Sequence, residues 1–424
     1  MIIFMIIVFL VLLFLGMPVA FAMAISGALT VLRLGEEVSP LLIPQRLFMS
    51  LNSFPLLAVP FFILAGELMN KGGITRRLIE FSKVLIGRKR GSLAHVNVVT
   101  NIIMAGFSGS ATADAVAVGT IMLPAMEKEG YPPEFSAGLT ASAACIGPII
   151  PPSCVMVIYG GITGLSIGRM FMGGFIPGLT IGLGLMVVVA FYARKYNWPY
   201  GEKPTISKIV SAFKGAFLAL LAPVIILGGI ITGVVTATEA GVVAVVYAFI
   251  IAVFVYKEIN FKQIPKIFLD AGMNTAIPIV IIAGASSFGW ILARQNFAVS
   301  LVNALLGVTD NAYILYFLII CLLLIIGLFV EGTAALIIFV PILFPLGNLL
   351  GYDPIHFALV IMITILIGTV TPPVGLQLYI AASIAKVPIS KVLVWPFVAI
   401  MIAVLLLITY IPSLVTYLPS LIFG

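Results

Sequence analysis

The stretch from Ser110 to Pro152 recurs without a gap from Glu331 to Pro373, at a constant offset of 221 residues. Thr112-Ala113 falls on Thr333-Ala334, Pro124 on Pro345, and Gly130-Tyr131-x-Pro133 on Gly351-Tyr352-x-Pro354. Ala137 lands on Ala358, Gly147 on Gly368, and Pro151-Pro152 on Pro372-Pro373. A chain that keeps these positions in register twice contains two copies of one structural unit. Each copy is punctuated by Gly, Ser, Thr and Pro inside otherwise apolar sequence. When both halves of a membrane protein are interrupted at matching places, the interruptions point to its binding site.

Apolar residues make up 62% of the chain and charged residues 9%, and the mean hydropathy is +1.26. That leaves too little charge to cover a soluble globule, and the long apolar runs require a polytopic all-α membrane protein. The runs do not alternate, which excludes a β-barrel. Helical spans are expected at 1–32, 51–70, 135–164, 171–194, 215–236, 238–256, 271–293, 355–386 and 392–419. The first is too long for a signal-peptide core, lacks a basic n-region, and reads as a retained transmembrane helix. Cys145, Cys154 and Cys321 all lie in apolar segments and suggest core residues rather than a disulfide framework.

The net charge of +7 fits the positive-inside rule, and nothing suggests nucleic-acid binding. Basic residues cluster in Lys71–Arg90, Arg194–Lys214 and Lys257–Lys266. Placing these in the cytoplasm puts Met1, Lys386 and Lys391 there too. The C-terminus and the Arg33–Arg46 linker, where Glu36 and Glu37 balance the charge, then lie outside.

Residues 92–130 divide around Gly106–Asp114 into two arms of about 16 residues, each about 24 Å long, against a hydrocarbon core of about 30 Å. Residues 312–347 divide similarly at Glu331-Gly332-Thr333. Both read as re-entrant hairpins, whose polar tips must be buried in protein or line a wet cavity. Tilted helices joined by surface loops are the alternative. The topology has the first hairpin entering from the cytoplasm and the second from outside, so the repeat is inverted. Each hairpin precedes a helix broken by proline, at Gly147-Pro148-Ile149-Ile150-Pro151-Pro152 and at Gly368-Thr369-Val370-Thr371-Pro372-Pro373. Such breaks free carbonyls that can hold a cation and present helix N-termini to an anion, unless they serve packing alone.

The first tip, Ser108-Gly109-Ser110-Ala111-Thr112-Ala113-Asp114, offers hydroxyls, close backbone approach and a carboxylate. With its broken helix it can form an oxygen cage for Na⁺. The second tip with Thr369 and Thr371 can form the counterpart, giving at least two cation sites. Arg294, which closes the helix before the second hairpin, suits bidentate capture of a carboxylate. It could equally be a helix-end arginine snorkelling to the interface. Glu239 reads as part of a helix N-terminus capped by Thr236 or Thr238. Glu67 and Asp114 are open between ion or proton binding and a structural role. Gly106-Phe107-Ser108-Gly109 also fits the G-x-S-G of rhomboid-type proteases, but His95 and His356 are poorly placed as bases for Ser108. A gated channel is the other class, disfavoured by hairpins of opposite entry.

Gly109-Ser110-Ala111-Thr112-Ala113-Asp114, Pro151-Pro152-Ser153, Thr236-Ala237-Thr238-Glu239-Ala240-Gly241 and Thr371-Pro372-Pro373-Val374-Gly375 resemble the large membrane subunit of TRAP (tripartite ATP-independent periplasmic) transporters, and the match spans essentially the whole chain. The resemblance implies a periplasmic substrate-binding protein and a small four-helix membrane subunit as partners, the latter not fused to this chain. It implies an elevator-type transporter in the bacterial inner membrane, non-enzymatic, driven by Na⁺ and taking up an organic acid. Scaffold helices would occupy 1–91, 171–270 and 392–424, and the transport domain 92–170 and 271–391. Carried onto this sequence, one cation site would use Ser108, Gly109 and Ser110 with Gly147 and Pro148. The other would use Glu331, Gly332 and Thr333 with Gly368, Thr369 and Thr371. The substrate would lie between the tips, with Arg294, Glu331, Ser108 and Thr371 as contacts and no cofactor beyond the ions. A single cation near the site places sialic acid ahead of a C4-dicarboxylate. A carrier of the same fold that needs no partner is the alternative.

Overall fold

The computed structural model describes residues 1–35, 38–309 and 311–424. Glu36 and Glu37, expected to balance the 33–46 linker, lie outside the described residues. Every regular element among the described residues is helical, apart from one isolated bridge between Arg90 and Tyr200.

The N-terminal third holds α1 (Ile2–Phe14), α2 (Val19–Leu34), α3 (Leu42–Leu51), α4 (Ala58–Lys71) and α5 (Ile74–Ile86). The expectation of one helix over 1–32 is corrected here. Gly16 takes a left-handed φ of +83°, and Pro18, which has no N–H to donate, precedes the first residue of α2. The two helices pack against each other. The parity count that put Met1 in the cytoplasm treated this segment as one crossing and no longer holds. The basic segment after Lys71 is likewise not a plain linker. Ile74, Leu78, Ile79 and Ile86 recur at helical spacing and bury one face of α5, leaving its charges outward.

Next come α6 (Ser92–Ser108), α7 (Ala111–Lys128), α8 (Pro133–Ala144), α9 (Cys154–Thr163) and α10 (Ile167–Lys195). The middle is formed by α11 (Ile206–Ile231), α12 (Ala237–Ile250, continued by a π-helical turn to Val255), α13 (Ile264–Arg294) and α14 (Phe297–Leu306). The chain ends with α15 (Ala312–Gly327), α16 (Gly332–Leu349), α17 (Pro354–Gly368), α18 (Leu376–Ala385), α19 (Trp395–Tyr410) and α20 (Ser413–Phe423). The 392–419 span is thus two helices, bent by 56° at Ile411-Pro412.

The repeat is visible in these bounds. Shifted by 221 residues, α7 coincides with α16 at both ends, and Pro133 of α8 with Pro354 of α17. The peptide bonds Pro151-Pro152 and Pro372-Pro373 are both cis. Six helices among the described residues are long and apolar enough to cross a membrane, α4, α10, α11, α12, α13 and α16 with short extensions.

Candidate functional site

Two helical hairpins and two broken helices supply the site. In the first hairpin, α6 ends at Ser108 and the chain turns through Gly109, whose φ of +55° suits glycine. Ser110 is the N-cap of α7, its Oγ accepting from Ala113 N–H at 3.4 Å, and Ser108 Oγ accepts from Ser110 N–H at 3.3 Å. The tip rests on the non-helical segment between α8 and α9. A β-carbon on Gly109 would lie 2.8 Å from Pro152 O and 2.9 Å from Cys154 N, so glycine permits this approach. Ser153 fixes the segment by donating to Pro148 O at 2.6 Å and capping α9 through Met156 N–H.

One turn into α7, Asp114 is 0% exposed. Neither of its carboxylate oxygens has a hydrogen-bond partner, although Ser108 lies beside it. Gly147, in the break, faces this carboxylate so closely that a β-carbon there would collide with Oδ2. A wholly buried, unpartnered carboxylate against hydroxyls and a glycine backbone is what a cation site presents to its ion. The structure thus brings Ser108, Gly109, Ser110, Gly147 and Pro148 into one neighbourhood, with Asp114 against Ser108 and Gly147.

The second hairpin repeats the plan with different chemistry. Glu331 takes the N-cap place that Ser110 holds in the first copy, its Oε2 accepting from Ala334 N–H at 2.9 Å. Gly332 packs on Thr369, with 3.3 Å from a notional β-carbon to Thr369 Cγ2. Gly327 and Gly368 let α15 and α17 meet backbone to backbone, since a β-carbon on Gly368 would lie 2.6 Å from Gly327 Cα. Thr369 and Thr371 donate to Leu366 O (2.6 Å) and Ile367 O (2.8 Å), the usual behaviour of membrane hydroxyls, while their own oxygens can still accept or coordinate. The two copies meet where Cys145 Sγ–H points at Leu366 O, 3.5 Å away, between residues separated by 221 positions. Equivalent positions in contact place the pseudo-symmetry axis there.

Both tips open onto one cavity of about 720 Å³. Ser108, Gly109, Ser110, Pro148, Glu331 and Thr333 line it. Its far walls are α4 and α13, and it reaches the end of α4 at Lys71. Gly147, Gly332, Gly368, Thr369 and Thr371 are not among the residues that line it. Arg294 is exposed at the end of α13, its guanidinium 5.6 Å from the Trp290 ring, and does not line the cavity. Sequence reasoning missed Gln377, which lines the cavity, is 2% exposed and has an Oε1 without a partner. An amide in the otherwise apolar run of α18 was the available signal.

The protease reading fails on distance. His95 sits 13 residues before Ser108 on the same helix, about 20 Å along its axis. His356 is engaged by Ile408 O at 3.0 Å. Glu239 forms a capping box with Thr236 and is structural.

The description "Tripartite ATP-independent periplasmic transporter, DctM component" fits residues 6–414. The chain is 38% identical over 415 residues to the sialic acid TRAP transporter large permease protein SiaM of Vibrio cholerae, covering 97% of both chains. It is 37% identical to the C4-dicarboxylate TRAP transporter large permease protein DctM of Pseudomonas aeruginosa, covering 92% of both. Among solved structures it resembles the YdaH transporter of Alcanivorax borkumensis, with a TM-score of 0.55 at 16% identity, over 88% of this chain and 85% of that one. That likeness concerns the fold. Two hairpin tips meeting in one cavity, a family description spanning nearly the whole chain and relatives matched end to end agree: the protein belongs to the DctM family and is a TRAP transporter large permease subunit.

Proposed function

We propose that this subunit carries an organic acid across the bacterial inner membrane together with Na⁺, with its basic end in the cytoplasm. The observation that carries the reading is the shared cavity, into which both hairpin tips project. Na⁺ is the ion that suits oxygens from hydroxyls, backbone carbonyls and one carboxylate. Ser108, Gly109, Ser110, Gly147 and Pro148 would hold one ion, with Asp114 as its counter-charge. Glu331, Gly332, Thr333, Gly368, Thr369 and Thr371 would hold a second. The acid occupies the space between the tips, near Ser108, Glu331 and Gln377, and Arg294 and Thr371 reach it when the tips close. No cofactor takes part.

The hairpins are re-entrant and the repeat is inverted, so hairpins and broken helices, with the helix that precedes the second hairpin, move as one block past the scaffold helices. Cations are needed because an anion among unpaired carbonyls and carboxylates is too costly to move through an apolar wall. A periplasmic binding protein delivers the acid and a small membrane subunit completes the scaffold. This follows the "tripartite" of the family description. Names of the relatives support both sialic acid and C4-dicarboxylates, and sialic acid is the first to test.

The test is uptake of labelled sialic acid into proteoliposomes that hold this chain and its small subunit, with the binding protein outside. Uptake requiring both an inward Na⁺ gradient and the binding protein supports the reading. Na⁺-driven uptake indifferent to the binding protein would favour a partner-free carrier, and uptake of succinate alone would replace the substrate.

A further inference from the structure

Where the cavity reaches the end of α4, Lys71 closes the helix. Its Nζ lies 2.6 Å from Asp270 Oδ2 on α13 and 3.6 Å from Glu67 Oε2, one turn back on α4. Asn274 Nδ2 donates to the other Glu67 oxygen at 3.2 Å. Glu67, Lys71 and Asn274 all line the cavity, and Lys71 and Asn274 are exposed at its mouth. Lys266, one turn before Asp270 on α13, adds a second positive charge nearby. One turn deeper, Gly66 packs on the backbone of Ser108, so Glu67 stands at the depth of the first tip. A solute moving from the tips to this opening passes Glu67, then Lys71.

Along α13, the helix that precedes the second hairpin, no charged residue falls between Asp270 and Arg294. The charges therefore gather at the Lys71 end of the cavity. We propose that Lys71 is a release-side contact for the carboxylate of the transported acid, held in check by Glu67 and Asp270. This rests on the reading of the cavity as an organic-acid site. A lysine between two carboxylates is already satisfied, so the acid must compete for it. It meets a positive charge on its way out without being trapped by one. Removing either carboxylate releases Lys71 to the acid, and removing Lys71 leaves the acid facing two negative groups. A strut that only ties α4 to α13 predicts no such opposition of sign.

The experiment uses the complete complex in proteoliposomes. Uptake of labelled acid, sialic acid or succinate, driven by the binding protein outside selects one orientation, and unlabelled acid preloaded inside probes the other face. The internal concentration that halves uptake should rise about two- to fivefold in Lys71→Gln and fall by a similar factor in Asp270→Asn and Glu67→Gln, as expected for partly exposed charges. Lys71→Arg, which keeps the charge, should recover most of the loss. Shifts of the three neutral variants in one direction, or no shift, with normal wild-type uptake, would overturn the inference alone. Wild-type vesicles that take up neither acid would overturn the cavity reading and this inference with it.

Discussion

Replacing Gly109 with alanine tests the contact between the first tip and its broken helix. The left-handed φ of +55° costs an L-residue about 1 kcal/mol. The new methyl must also fit 2.8 Å from Pro152 O and 2.9 Å from Cys154 N, backbone atoms that cannot rotate away. Overpacking of this kind costs about 1–3 kcal/mol, for a total of about 2–4 kcal/mol. The tip can escape by lifting off the segment, so the cost falls on the closed, ion-binding arrangement rather than on the fold. At 1.4 kcal/mol per factor of ten, Na⁺ affinity should fall by about 30- to 1000-fold. The assay is the Na⁺ concentration that half-maximally activates uptake, paired with Na⁺-dependent thermal stabilisation of the purified protein. Gly130→Ala is the control. Gly130 has a φ of +83° with nothing near its notional β-carbon, so it carries the conformational cost without the collision. Equal Na⁺ dependence in the two variants would refute the argument.

Three further outcomes follow from the same geometry. Asp114→Asn replaces a wholly buried carboxylate, neither of whose oxygens accepts a hydrogen bond within the usual distance. It should raise the unfolding temperature without Na⁺ and abolish most of the rise that Na⁺ brings to wild type, both read by a thermal-shift titration. Gly368→Ala drives a methyl into Gly327 across the α15–α17 contact and should cost about 1–3 kcal/mol of stability, seen as a lower melting temperature with or without Na⁺. Arg294→Ala should cut uptake at least tenfold while leaving Na⁺ stabilisation intact, and a loss of Na⁺ stabilisation would instead assign Arg294 a structural role.

The repeat made the centre of the molecule legible. Its offset located both breaks, where Gly147-Pro148 and Pro151-Pro152 in one copy and Gly368 with Pro372-Pro373 in the other interrupt the helix, although Pro124 and Pro345 in the same register stay inside α7 and α16. Hydropathy did less well at the N-terminus. Leu15-Gly16-Met17-Pro18 is apolar throughout, and an apolar average does not register a turn that Gly16 and Pro18 impose. The helix α5 was hidden for the opposite reason. Its four Lys, Arg and Glu residues between Arg76 and Lys83 drew attention to charge, while the buried face lay in the spacing of Ile74, Leu78, Ile79 and Ile86. Arg294 and Glu331 looked like neighbours across one site, yet Glu331 lines the cavity and Arg294 does not. Sequence spacing does not report how far a helix end projects past a hairpin tip. Gln377 needed the fold, since one amide in an apolar helix acquires meaning only when the cavity wall beside it is known.

The halves share a backbone plan but not the charges that gather around Lys71. On the proposed mechanism the subunit alternates between two end states. Any closed cycle of binding and reorientation must nevertheless sum to zero free energy without a gradient. If the acid binds more weakly at the Lys71 face, the loaded protein must favour that face less than the empty protein does, by the same factor. A side chain at the rim of the cavity therefore bears on how long the unloaded subunit waits in each orientation.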